Sequence, residues 1–129
     1  MILKQTIITV TDKSGLNNIN VFQLYGGFFR KFTKIGFFIK GSCRKITKKQ
    51  NNNKSIAKKK FFKKGHITKA IITRQSYNLH RLDGRRLKLK DNTSITIKKN
   101  KLTRSKHILG PGFIDLRRKK FLSLFHRKF

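Results

Sequence analysis

Short apolar runs separated by turn residues fill the first hundred positions of the chain. Ile2 to Val10 is rich in Ile and Thr and stops at Asp12-Lys13-Ser14-Gly15. At such a stop Asp can bond its own backbone and Gly can take a positive φ. Ile19 to Tyr25 reads as a second strand closed by Gly26-Gly27, Ile35 to Cys43 as a third and Ile67 to Thr73 as a fourth. Leu87-Lys88-Leu89-Lys90 and Ser94-Ile95-Thr96-Ile97 each alternate strictly, with Asp91-Asn92 between them. That period of two predicts a half-buried hairpin. Short strands at this spacing, with almost no helical pattern among them, predict a mainly β fold built on a small antiparallel barrel.

The ending differs. After Gly110-Pro111-Gly112, the apolar residues Phe113, Ile114, Leu116, Phe121, Leu122, Leu124 and Phe125 recur at spacings of one, three and four. This predicts two short helical turns packed on the end of the barrel. Between Thr47 and Lys64 the composition shifts to Lys and Asn, with Phe61-Phe62 set among lysines. A tract this polar cannot offset its own ordering entropy and should be a loop or ribbon that orders on a partner. The expected organisation is one domain over residues 1–129: a barrel to about residue 100, a basic insertion at about 47–64 and a helical segment at about 105–129.

Charge narrows the partner. The 129 residues carry 34 Lys plus Arg against 4 Asp and no Glu, a formal net charge of +30. So many like charges on a small body repel one another, and a polyanion is the natural remedy. No stretch approaches the roughly 18 apolar residues of a transmembrane helix. The bases also run from Lys4 to Lys128 rather than along one amphipathic segment. Nucleic acid therefore leads over membranes. Ile outnumbers Val by 15 to 2 and Lys outnumbers Arg by 24 to 10, with 12 Phe and 9 Asn. Strand propensity does not separate Ile from Val, and RNA binding would often favour Arg. Codons rich in A and T account for the bias, which points to synthesis inside an organelle. A start at Met1-Ile2-Leu3-Lys4 without an apolar or Arg/Ser-rich leader agrees with that expectation.

Catalysis finds little to work with. Asp12, Asp83 and Asp91 sit in turn signals and Asp115 in the first turn of an expected helix, all places where Asp has a structural task. His66, His80, His107 and His126 are scattered, and the single Cys43 has no second thiol, so no zinc spacing, disulfide or cofactor motif arises. The glycines form neither a phosphate loop nor a dinucleotide fingerprint. The basic clusters are different. Phe28-Phe29-Arg30-Lys31-Phe32-Thr33-Lys34 and Lys58 to Lys64 interleave cations with flat rings that either fill the core or stack on unpaired bases.

Read in order, the landmarks resemble one family. They are Gln5-Thr6, Val10-x-Asp12-x-Ser14-Gly15, Gly26-Gly27, Arg30-Lys31, Ile39-Lys40 and Lys63-Lys64-Gly65. They continue with Lys69 to Arg74, Arg81-x-Asp83-Gly84, Lys88-Leu89, Asn92, Ile108-Leu109-Gly110-Pro111, Leu116-Arg117 and Lys120-Phe121. In order and spacing the chain is similar to the universal large-subunit ribosomal protein numbered fourteen. The resemblance implies a five-stranded barrel related to OB-like barrels, a basic β-ribbon, short C-terminal helices and no enzyme activity or cofactor. It implies binding to large-subunit rRNA at the subunit interface, beside the third and nineteenth large-subunit proteins, with bridges to small-subunit rRNA. Together with the codon bias, it makes the mitochondrial ribosome the expected location, with a plastid or bacterial cytoplasm as the alternative.

Departures from the family pattern fall in three places, the first being Leu89, which stands where the family usually has an aromatic before its Asp-Gly-Asn turn. The Ile46 to Lys63 segment is longer, and the C-terminal surface carries Lys106-His107, Ile114, Asp115 and Ser123 in place of the usual residues. That surface receives a ribosome-silencing factor in the family, and these departures leave that partner unassigned for this chain. The residues expected to meet RNA on the barrel are Arg30, Lys31, Lys34, Lys64 and Lys69, joined by Arg44, Lys45, Arg74 and Arg81. In the insertion they are Lys48, Lys49, Lys54, Lys58, Lys59, Lys60 and Lys63. Arg117, Arg118, Lys119 and Lys120 should face rRNA near the intersubunit surface. The rival reading is a free-standing basic barrel that binds single-stranded nucleic acid.

Overall fold

The structure is a computed structural model that describes residues 1–47, 62–100, 102–105, 108–114, 116 and 121. Its strands, in chain order, are β1 (Ile2–Leu3), β2 (Ile7–Val10), β3 (Leu16–Leu24), β4 (Phe32–Thr33) and β5 (Phe38–Ile46). They continue with β6 (Ile67–Arg74), β7 (Leu79–His80), β8 (Arg86–Leu87) and β9 (Thr93–Ile97). Strands β2, β3, β5, β6 and β9 close into a barrel in that order, while β1–β4 and β7–β8 are two-stranded ribbons beside it. The five-stranded barrel expected from the sequence is thus present.

Four of its seams are antiparallel, in keeping with the expectation, and the fifth, β2 with β9, is parallel. Parity requires this. Strands that reverse direction at each of four successive seams leave the fifth strand pointing the same way as the first. The parallel seam is short, pairing Thr9 with Thr93 and Val10 with Ser94. A buried carboxylate reinforces it. Asp12 Oδ2 accepts the Thr96 N–H at 2.7 Å and the Thr96 hydroxyl at 2.6 Å, while Oδ1 accepts the Ser14 N–H at 3.0 Å and the Ser14 hydroxyl. Asp12 therefore makes the turn bond expected of it, to Ser14, and in addition pins the β2–β3 turn to β9.

Two strand expectations need correction. Ile2 to Val10 is not one strand, because Gln5 takes a φ of 70° and a turn separates β1 from β2. Around it Leu3 N–H donates to Thr6 Oγ1 at 3.1 Å and Gln5 N–H to Val21 O at 2.6 Å, which turns β1 away to pair with β4. Nor do Leu87 to Lys90 and Ser94 to Ile97 form a hairpin. Both edges of β9 are already taken by β6 and β2, and β8 pairs with β7 instead. The alternation of Leu87 and Leu89 with Lys88 and Lys90 is real, since both leucines pack on the core and both lysines are exposed.

One apolar cluster fills the barrel and extends to its end. Ile8, Ile19, Val21, Ile39, Cys43, Ala70 and Ile95 are fully buried, and Ile108, Phe113, Leu116 and Phe121 belong to the same cluster. All five residues of β9 are buried, as a strand flanked on both edges and packed against that ending requires. Gly41 in β5 lets β3 approach closely: a Cβ there would lie 2.1 Å from Ile19 Cγ2 and 2.6 Å from Asn20 O. Register shifts along β3–β5 and β6–β9 add the bends that a small barrel needs. The expected insertion lies outside the described residues except for Thr47 and 62–64, and most of the expected C-terminal helical segment does too.

Candidate nucleic-acid interface

The β5–β6 seam carries a dense group of cations. Side chains alternate across a strand, so with Ile39, Gly41 and Cys43 inward, Lys40 of β5 points away from the core. Its registered partner across the seam is Lys69 of β6, which is exposed. Like charges directly opposite one another are unfavourable in an isolated sheet. Both ammonium groups lie near the Tyr25 ring, Lys40 Nζ at 5.7 Å and Lys69 Nζ at 6.0 Å from its centroid. The ring's negative face softens the repulsion but adds no counter-charge.

Further along the seam, Arg44 and Lys45 are exposed at the end of β5. Cys43 N–H donates to His66 O at 2.9 Å and Gly65 N–H donates to Cys43 O at 2.9 Å. Those bonds bring the exposed Lys63-Lys64 turn beside Arg44 and Lys45. Six cations thus share one seam, and none of the chain's four aspartates lies on β5 or β6. Such a surface is built for an extended anion.

Other expected residues have work within the chain. Arg30 Nη1 donates to Tyr25 O at 3.0 Å and Nε to Phe32 O at 3.1 Å, and its guanidinium lies 4.1 Å from the Phe37 ring centroid. Arg74 Nε donates to Thr93 Oγ1 at 2.9 Å, tying β6 to β9, and burial pushes its ionisation below the ordinary arginine value, against the opposing pull of Asp91. Arg81 stands in the β7–β8 turn, where Gly84 N–H donates to its carbonyl at 3.1 Å and Arg85 pairs with Asp83 at 3.3 Å. Lys31 and Lys34 are exposed on the segment around β4. Lys48, Lys49, Lys54, Lys58, Lys59, Lys60, Arg117, Arg118, Lys119 and Lys120 lie outside the described residues.

The aromatic residues divide sharply. Phe62 is buried, with Arg104 over its ring at 4.7 Å and His66 edge-on at 6.3 Å, so it fills the core rather than offering a stacking face. Phe28 and Phe29 are almost wholly exposed. Sequence reasoning did not single out Lys40, Arg85, Arg86 or Arg104 as contacts. For Lys40 a signal existed, because the strand period that buries Ile39 and Cys43 turns it outward. Among the described residues no three His, Cys, Asp or Glu side chains gather where a metal ion could be held.

Comparison with known proteins agrees with this geometry. The family described as Ribosomal protein L14p/L23e matches residues 1–127. A relative from Tetrahymena pyriformis, described as "Large ribosomal subunit protein uL14m", is 35% identical over 125 residues, which cover 97% of this chain and 97% of the relative. With a closed five-stranded barrel and a family match over residues 1–127, the chain belongs to the ribosomal protein L14p/L23e family.

Proposed function

We propose that the protein is a structural constituent of a mitochondrial large ribosomal subunit that holds large-subunit rRNA on its β5–β6 seam. Membership of the family makes it a non-enzymatic component of the ribosome. The Tetrahymena relative, described as "Large ribosomal subunit protein uL14m" and matched over 97% of each chain, supports the location. One observation carries the RNA reading: Lys40 and Lys69 face each other in register with Arg44, Lys45, Lys63 and Lys64 alongside, on a chain of net charge +30. Phosphates supply the missing counter-charge and position the barrel without reading sequence.

Lys48, Lys49, Lys54, Lys58, Lys59 and Lys60 in the insertion add further rRNA phosphate contacts. Arg117, Arg118, Lys119 and Lys120 face rRNA near the intersubunit surface, and the protein helps form bridges to small-subunit rRNA. The third and nineteenth large-subunit proteins are the expected protein neighbours. Gradient sedimentation of mitochondrial ribosomes tests the assignment. The chain should travel with the large subunit at low salt and leave it only when salt is raised. Recovery at the top of the gradient with bulk soluble protein, at every salt concentration, would favour a free-standing nucleic-acid binder instead.

A further inference from the structure

The loop joining β3 to β4 holds two phenyl rings out into solvent. Phe28 and Phe29 are 89% and 88% exposed, and their rings meet edge to face with centroids 5.3 Å apart. Two adjacent aromatic side chains this exposed form an apolar patch that marks a binding surface rather than ordinary scatter. The loop does not fold them back, because Arg30 clamps its base. That guanidinium bonds the carbonyl of Tyr25 on one side and of Phe32 on the other while stacking on Phe37. Gly26, at φ 111°, leaves the space the clamp occupies: a Cβ there would fall 1.9 Å from Arg30 Nη1.

Cations rim the rings. Lys4, Arg30 and Lys31 line the same open groove as Leu3, Phe28 and Phe29, and among the described residues no carboxylate shares it. Charge complementarity selects an anionic occupant, and the rings select one that also presents a flat apolar face. A nucleotide with its base out of the helix has both: the base stacks on an open phenyl face and the phosphate meets Lys4 or Lys31. We infer that Phe28 and Phe29 form a preorganised stacking platform for unpaired nucleobases of the rRNA. This rests on the rRNA-binding role proposed above and adds a second kind of contact, to bases rather than phosphates.

The test compares the full-length protein with the Phe28→Ala/Phe29→Ala and Phe28→Leu/Phe29→Leu variants. The probes are a single-stranded RNA carrying 2-aminopurine and the same strand in a duplex. Both rings stand in solvent, so both variants keep the fold, which protection of the buried Cys43 thiol verifies. The native protein should quench 2-aminopurine in the single strand. Both variants should lose the quenching and bind the single strand about tenfold or more weakly, with duplex affinity and salt dependence unchanged. Leucine keeps apolar area but lacks a flat face, so full binding by the Leu variant would overturn stacking, as would equal losses on single strand and duplex. A large subunit in which both rings pack on protein side chains would overturn it in favour of a protein partner. If the native chain bound neither RNA, the rRNA-binding role itself would fail, and that outcome is distinct from loss of quenching alone.

Discussion

Replacing Asp12 with Ala should loosen the barrel at its weakest seam. The parallel β2–β9 pairing spans only two residue pairs, and the Asp12 carboxylate adds four hydrogen bonds that tie the β2–β3 turn to Ser14 and Thr96. Thr96 is fully buried, so Ala leaves its N–H and its hydroxyl without an acceptor and without water. A buried group left unsatisfied costs about 1–3 kcal/mol. Two such groups amount to about 2–6 kcal/mol, a large part of a typical domain's ~5–15 kcal/mol. For a chain of this size, the melting temperature should fall by roughly 10–20 °C.

Asp12→Asn should recover only part of the loss, because its NH2 must face one of the donor pairs. Thr96→Val, which keeps the backbone bond, should cost about 1 kcal/mol. Asp83→Ala is the comparison, since its ion pair with Arg85 lies in solvent and such pairs contribute about 0–1 kcal/mol. Circular dichroism during urea and thermal unfolding of the full chain, at a salt concentration that screens its +30 charge, gives all four values. A loss at Asp12→Ala no larger than at Asp83→Ala would refute the clasp.

Gly41→Ala should cost about 1–3 kcal/mol or more, because the new methyl group meets Ile19 and the carbonyl of Asn20; an unchanged urea midpoint would show that β3 and β5 are not so close. Burial pushes the Cys43 thiol above its ordinary range, with Arg104 pulling weakly the other way. Stability from this shift is complete below the unfolded thiol value, about 8.5, and is lost as pH rises through the folded one. A disulfide reagent at pH 8 should therefore label Cys43 in urea but not in buffer, and rapid labelling of the folded chain would contradict its burial. Lys40→Gln combined with Lys69→Gln should lower the steepness of the log-log salt dependence of duplex RNA binding by roughly 2. An unchanged slope would remove both lysines from the phosphate contact.

The apolar runs of β3, β5, β6 and β9 were legible because β-branched and aromatic residues between turn signals do mark strands. Their partners were not legible. Alternation at Leu87–Lys90 and Ser94–Ile97 reports which side chains face the core, and it says nothing of which strand lies alongside. Ile97 therefore pairs with Lys69 rather than across the nearest turn. The break at Gln5 had no glycine, proline or asparagine to announce it.

At the candidate interface the same division holds. Composition pointed to a polyanion partner, but only the register of β5 against β6 places Lys40 opposite Lys69. Two similar clusters of Phe and Lys also have opposite fates. Phe62 packs into the core ahead of β6, under Arg104, whereas the Arg30 clamp holds Phe28 and Phe29 out of it. Local sequence cannot distinguish them, because burial is decided by what the rest of the chain packs nearby.

Lysine footprinting tests the proposed rRNA contact of the β5–β6 seam most directly. Native mitochondrial large subunits and the free full-length chain are treated with the same amine-acylating reagent, and modification is quantified at each lysine by mass spectrometry. Lys40, Lys45, Lys63, Lys64 and Lys69 should react readily in the free chain and be strongly protected in the subunit, with protection lost when ribonuclease digests the rRNA. Equal reactivity in both states, or protection that survives ribonuclease, would contradict an rRNA contact on this face.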